Sequence, residues 1–239
     1  ASMSAAAINV DGQTMLPIEP DTHRLLKLTN NLGGDYYGLV ASSLLETDFL
    51  PTDDPRAQWL VDALEKRGGL IAGVCDFDCG IDHAYTYGYL MNAMRRGEEK
   101  KVQLGFWSML AFGMTRDTYS PVEVTMIETG ENQLTLPHLY SCTEQLRLLR
   151  NMLLREEGDT LILGQGIPRE WLAPGKRVGV NNAPTFFGAV SYRIESAADG
   201  SMSIALMPPM RQSPAKIELH LRHPDEAKIA AVEASASVQ

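Results

Sequence analysis

The stretch Leu149-Arg150-Asn151-Met152-Leu153-Leu154-Arg155-Glu156-Glu157-Gly158-Asp159-Thr160 is where the hydrophobic period of this chain changes. Before it, Leu139, Cys142, Leu146, Leu149 and Leu153 recur at intervals of three and four, the spacing of an amphipathic helix. Beyond it, Val190, Tyr192 and Ile194 alternate with Ser191, Arg193 and Glu195, which is the period of a half-buried strand. Arg155-Glu156-Glu157-Gly158-Asp159 is therefore the expected dividing line, with Gly158 as the helix stop. The expected fold class is α+β in two parts. A flexible arm over 1–20 precedes antiparallel α-hairpins over 21–158, and a small antiparallel β-sandwich follows over 159–239.

Working back from the dividing line, Asp54-Pro55 reads as an N-cap with proline at the first helical position. The run 56–67 places Trp59, Leu60, Ala63 and Leu64 on one stripe, and Gly68-Gly69 ends it. Further helices are expected over 36–49, 82–96 and 98–114, the last with Val102, Phe106, Met109 and Leu110 on one face. Working forward, Asp199-Gly200 is a hairpin turn with its return strand over 202–207. Ile217, Leu219 and Leu221 mark another strand, and 228–232 is expected to pair nearby.

Composition narrows the function classes. The chain has 239 residues, 44% hydrophobic and 21% charged, as in an ordinary globular protein. Its net charge is −9 and its basic residues cluster no further than pairs, so no nucleic-acid partner is expected. No apolar run approaches the roughly 20 residues that span a bilayer, so no membrane partner is expected either. Three cysteines do not make a disulfide framework. Cys75 and Cys79 lie close to Asp82 and His83, but their spacing is not a zinc pair; no metal and no cofactor is expected. There is no Gly-x-Ser-x-Gly elbow, which disfavours a serine hydrolase, and no Gly-x-Gly-x-x-Gly after a strand, which disfavours a dinucleotide enzyme.

The connections between helices alternate short and long. Gly97 alone separates two helices, whereas 68–81 and 115–137 are long. In a stack of antiparallel helices, alternate connections lie at the same end, so the long ones should gather on one face. They carry the reactive side chains: Asp35, Tyr36 and Tyr37; Asp76, Asp78, Asp82, His83, Tyr85 and Tyr87; Glu123, Glu128, Glu131 and His138. Long loops rich in such groups are usually functional.

Five stretches carry a family resemblance: His83-Ala84-Tyr85-Thr86-Tyr87-Gly88-Tyr89-Leu90, Pro137-His138-Leu139-Tyr140-Ser141-Cys142-Thr143-Glu144, Leu163-Gly164-Gln165-Gly166-Ile167-Pro168-Arg169-Glu170-Trp171-Leu172, Phe187-Gly188-Ala189-Val190-Ser191-Tyr192 and Leu219-His220-Leu221-Arg222-His223-Pro224. With this order of parts, the chain resembles the C-terminal half of the six-hairpin (α/α)6 glycoside hydrolases, rhamnosidase-like and fucosidase-like bacterial enzymes, with their trailing β-sandwich. The resemblance implies a partial toroid with a sugar at the loop end of its inner helices. It also implies an inverting carboxylate pair, whose two carboxyls stand roughly 6.5–9.5 Å apart with a water between them. The base would fall within 119–137, at Glu123 or Glu128, with Glu123 preferred. Asp82 is a candidate acid, alongside Asp76 and Asp78. Asp35, His83, Tyr87, His138 and Tyr140 would bind substrate. About three hairpins can be counted against the six of a whole toroid, and the segment that would carry the family's acid is not among them. A homo-oligomer or a longer chain is therefore the expected setting. The alternative is a non-catalytic module that binds carbohydrate or protein.

Overall fold

The computed structural model describes residues 2–16, 38–47, 49–77 and 79–234. The chain is mixed α and β, with six α-helices and four small sheets among these residues. It divides into two compact units, residues 1–149 and 150–239.

The first unit opens with a short helix α1 (Ser2–Ala6) and a hairpin of β1 (Ile8–Val10) and β2 (Gln13–Met15), in the segment expected to be an arm. Met15 of this hairpin is fully buried. Four helices follow before the last long connection: α2 (Gly38–Glu46), α3 (Pro55–Lys66), α4 (Tyr87–Arg95) and α5 (Glu99–Phe112). Asp54 caps α3 by accepting the Arg56 N–H at 2.8 Å, with Pro55 at the first turn. Ala57, Leu60, Val61, Ala63 and Leu64 form its buried face. Trp59, expected on that face, is only half-buried.

Helix α2 packs against α3 and α4, and α4 packs against α5. The α2–α4 approach is close enough that a Cβ on Gly88 would run into the Ser42 carbonyl.

The long connections 68–81 and 115–137 are not loops. They contribute β3 (Leu70–Ile71), β4 (Val74–Phe77), β5 (Gly80–Asp82), β6 (Val124–Thr125) and β7 (Asn132–Gln133), joined in that order as one antiparallel sheet. Ile81 pairs with Thr125 and Asp82 with Val124, so the two connections meet directly. Asp82 thus ends a strand rather than opening a helix as expected. Its carboxylate turns the chain by taking the N–H groups of Ala84 and Tyr85, and α4 begins only at Tyr87.

Helix α6 (Leu139–Leu153) begins in the first unit and ends in the second. It gives way at once to β8 (Leu154–Glu157), which pairs with β9 (Thr160–Leu163). Gly158, expected as the helix stop, instead turns this hairpin with φ 57°. A turn of 3-10 helix (Arg169–Leu172) leads to β10 (Arg177–Thr185), β11 (Gly188–Ser196) and β12 (Met202–Met207), an antiparallel sheet. Strand β13 (Lys216–Leu219) lies parallel to β9, which departs from the all-antiparallel expectation. Leu154, Leu161 and Leu163 from one sheet share a core with Val190, Tyr192 and Ile194 from the other. The segment 228–232, expected to pair, forms no strand.

Candidate functional site

The meeting of β5 and β6 brings together a cluster of titratable side chains. The His83 N–H donates to the Glu123 carbonyl at 3.2 Å, one step beyond the Asp82–Val124 pair. Asp82 and Glu123 are thus one position out of register on adjacent segments, with Cα atoms roughly 6 Å apart. An ideal ladder would send their side chains to opposite faces. Glu123 lies in a bend just ahead of β6, however, and its charge reaches Asp82.

Asp82 is 2% exposed. Both its backbone hydrogen bonds, from Ala84 at 2.8 Å and Tyr85 at 2.9 Å, end on Oδ1. Burial pushes the carboxyl up from 3.8 to about 6 against those bonds; the Glu123 charge adds to the rise and His138 opposes it. An acid with one oxygen anchored and the other bearing a proton near pH 6 is suited to protonate a leaving group.

Glu123 is held differently. Its Oε2 accepts the Thr135 N–H at 3.0 Å and lies 3.8 Å from His138 Nε2. The backbone of His138 donates to the Pro121 carbonyl at 2.9 Å, fixing the start of α6 beside the sheet. His138 Nδ1 receives the Ser141 N–H and lies 2.7 Å from Ser141 Oγ, so it acts as an acceptor and leaves the proton on Nε2, facing Glu123. Ser141, His138 and Glu123 have the composition of a nucleophilic triad. Ser141 is fully buried within the helix, though, so it orients the imidazole rather than attacking a substrate.

Aromatic rings border the cluster. Phe77 stacks on Tyr85 at 5.7 Å, Tyr85 meets Tyr140 edge-on at 5.5 Å, and Tyr140 meets His138 at 6.2 Å. Tyr140 is 40% exposed, and burial of the remainder raises its phenol pKa. Tyr87 lies deeper, its ring 4.3 Å from the Arg147 guanidinium, and burial pushes its phenol up to about 12. Arg147 is itself held by Glu46 at 2.5 Å and by both oxygens of Glu144 at 2.9 Å.

Of the residues singled out in the sequence, Asp82, Glu123, His138 and Tyr140 come together here. His83 is fully enclosed, with Nε2 3.2 Å from Thr125 Oγ1, and burial lowers its pKa to about 4. Glu128 stands exposed in the β6–β7 turn and lines a separate cavity of about 150 Å³ with Asp76 and Phe77. Asp35, with Tyr36, Tyr37 and Asp78, lies outside the described residues. Sequence reasoning named Tyr85 among the loop side chains without giving it a role, and did not single out Ser141 or Arg147. The three-residue spacings His138 to Ser141 and Glu144 to Arg147 were the available signals.

Cys75 is buried and its thiol is pushed up to about 12 by burial, which keeps it protonated. Among the described residues, no three His, Cys, Asp or Glu side chains converge to hold a metal ion. No helix among them is long and apolar enough to cross a membrane. The chain matches no protein-family model, no curated protein and no solved structure.

Proposed function

We propose that the first unit carries a carboxylate-pair site for hydrolysis of a glycosidic bond. In this reading Asp82 is the general acid and Glu123 the base that activates water. The observation that carries it is the division of the two carboxyls. Asp82 is buried and raised to about 6, while Glu123, its side chain 21% exposed, faces an imidazole N–H. Acid and base roles separate when two nearby carboxyls sit in such different surroundings. Tyr140 and Tyr85 supply the apolar faces on which a sugar ring would lie. His138 orients Glu123, and Arg147 and Tyr87 brace the wall behind. His83 supports the β5–β6 junction from within.

The helical array is proposed to be part of an α/α toroid. The side-by-side packing of α2 and α4, each the first helix of a hairpin, supports this, as does the resemblance to the six-hairpin hydrolases. Leu104, Trp107 and Phe112 of α5 are exposed, and further hairpins, from a second copy or a longer chain, would cover them. Light scattering tests the second-copy form: a dimer is expected, and a monodisperse monomer would mean that the open helix faces are buried some other way.

The activity test is a panel of aryl glycosides assayed with the wild-type chain and with Asp82→Asn and Glu123→Gln. Hydrolysis should fall at least ~100-fold in either variant. For the wild type, kcat/KM should decline as pH rises above about 6, because the acid must keep its proton. Hydrolysis that survives both substitutions would sink the proposal. Binding without turnover in all three proteins would favour the non-catalytic alternative.

A further inference from the structure

Helix α3 has a second face. Pro55, Gln58, Trp59, Asp62 and Lys66 recur at helical spacing away from the apolar side, and they form one wall of a cavity of about 650 Å³. The turn of the β1–β2 hairpin, Asp11 to Thr14, forms the other wall. That volume falls within the range of small-ligand sites.

The walls are held in place. Arg67, at the end of α3, donates from Nη2 to the Val10 carbonyl at 2.7 Å and from Nε to Gln13 Oε1 at 2.8 Å, which ties the hairpin to the helix. Gln58 Nε2 donates to Asp62 Oδ1 at 2.7 Å, and Lys66 Nζ lies 2.9 Å from Asp62 Oδ2. One feature remains unexplained by packing. Trp59, whose sequence position reads as core, is only half-buried and lines the cavity. Gln13 also lines it, and its orientation is set by Arg67.

We propose that this cavity is a binding site for a neutral sugar, separate from the carboxylate pair. An aromatic wall offers a face for the C–H groups of a pyranose, while amide and carboxylate groups beside it suit vicinal hydroxyls. Among the described residues the only cation lining the cavity is Lys66, already bridged to Asp62, and Arg67 beside it is paired with Asp11 at 3.7 Å, so the lining offers no spare positive charge. An anionic sugar is therefore disfavoured. This assignment does not depend on the chemistry proposed for Asp82 and Glu123.

Saturation-transfer NMR on the whole chain tests it, with methyl glucoside, methyl galactoside, methyl mannoside and methyl rhamnoside as probes and glucuronate as the anionic control. At least one neutral glycoside should bind, with transfer in Trp59→Ala falling to what the carboxylate-pair site contributes, and affinity reduced about tenfold in Gln13→Leu. Binding should persist in Trp59→Phe, which keeps an aromatic wall, and in Asp82→Asn. Thermal melts establish that each variant is folded, and if Trp59→Ala is not, Gln13→Leu decides. No transfer from any neutral glycoside, transfer unchanged in the deciding variant, preference for glucuronate, or loss in Asp82→Asn each overturns the assignment.

Discussion

At Asp82 two physical effects oppose each other. Backbone N–H bonds from Ala84 and Tyr85 favour the charged carboxylate, and burial favours the neutral acid; burial wins, and the pKa rises to about 6. A raised pKa means that the folded chain binds this proton more tightly than the unfolded chain does. Stability from this group is therefore lost as pH rises from about 4 to 6, and above that window the buried charge costs on the order of 3 kcal/mol. An asparagine at this position would keep the Oδ1 acceptor for both N–H groups and remove the charge. Asp82→Asn should thus be more stable than wild type at about pH 7.5, by on the order of 3 kcal/mol, with the gap closing near pH 4. Matched thermal melts at the two pH values check this; a less stable variant at the higher pH would mean that the carboxylate is there for the turn alone. In the sequence Glu123 was preferred as the proposed base for its neighbours Tyr119-Ser120-Pro121-Val122, whereas no proposed acid was selected among Asp76, Asp78 and Asp82. That choice depends on burial, which only the pairing of β5 with β6 creates.

At the scale of elements, helices were legible and the five-stranded sheet of the first unit was not. Helices α3 and α6 run through 12 and 15 residues, long enough for a period of 3.6 to declare itself. The strands β3, β5, β6 and β7 have only two or three residues each, too few for alternation to be seen. They exist because two distant connections pair with each other, an interaction that no local pattern encodes. The same limit explains why 82–96 was read as helix throughout: its apolar residues continue smoothly across the capped turn after Asp82. Helix packing makes a prediction of its own. Because a Cβ at Gly88 would run into the Ser42 carbonyl of α2, Gly88→Ala must push α2 and α4 apart. A loss of about 3 kcal/mol or more is expected in chemical denaturation. A change below about 1 kcal/mol would show that the two helices are free to shift.

At the scale of the whole molecule, the change of hydrophobic period separated helical from β-rich sequence. The compact units divide at 149 and 150, so the last turn of α6 belongs with the second unit. The period continues to Leu153 because a helix keeps its pattern wherever it packs. Each unit has its own buried residues, with Ile194 at the centre of the second. Calorimetry should therefore resolve two transitions. Ile194→Ala, which leaves a cavity worth roughly 2–5 kcal/mol, should lower one of them, and Asp82→Asn should shift the other. A single transition that moves with both substitutions would mean that the units unfold together.

The central claim, that Asp82 and Glu123 form a coupled pair with divided roles, can be tested without knowing the substrate. The measurement is an NMR titration of the Asp82 carboxyl carbon in the wild-type chain and in Glu123→Gln. The account predicts an apparent pKa near 6 that falls when the Glu123 charge is removed. A value near 4, or one that does not respond to Glu123→Gln, would contradict it.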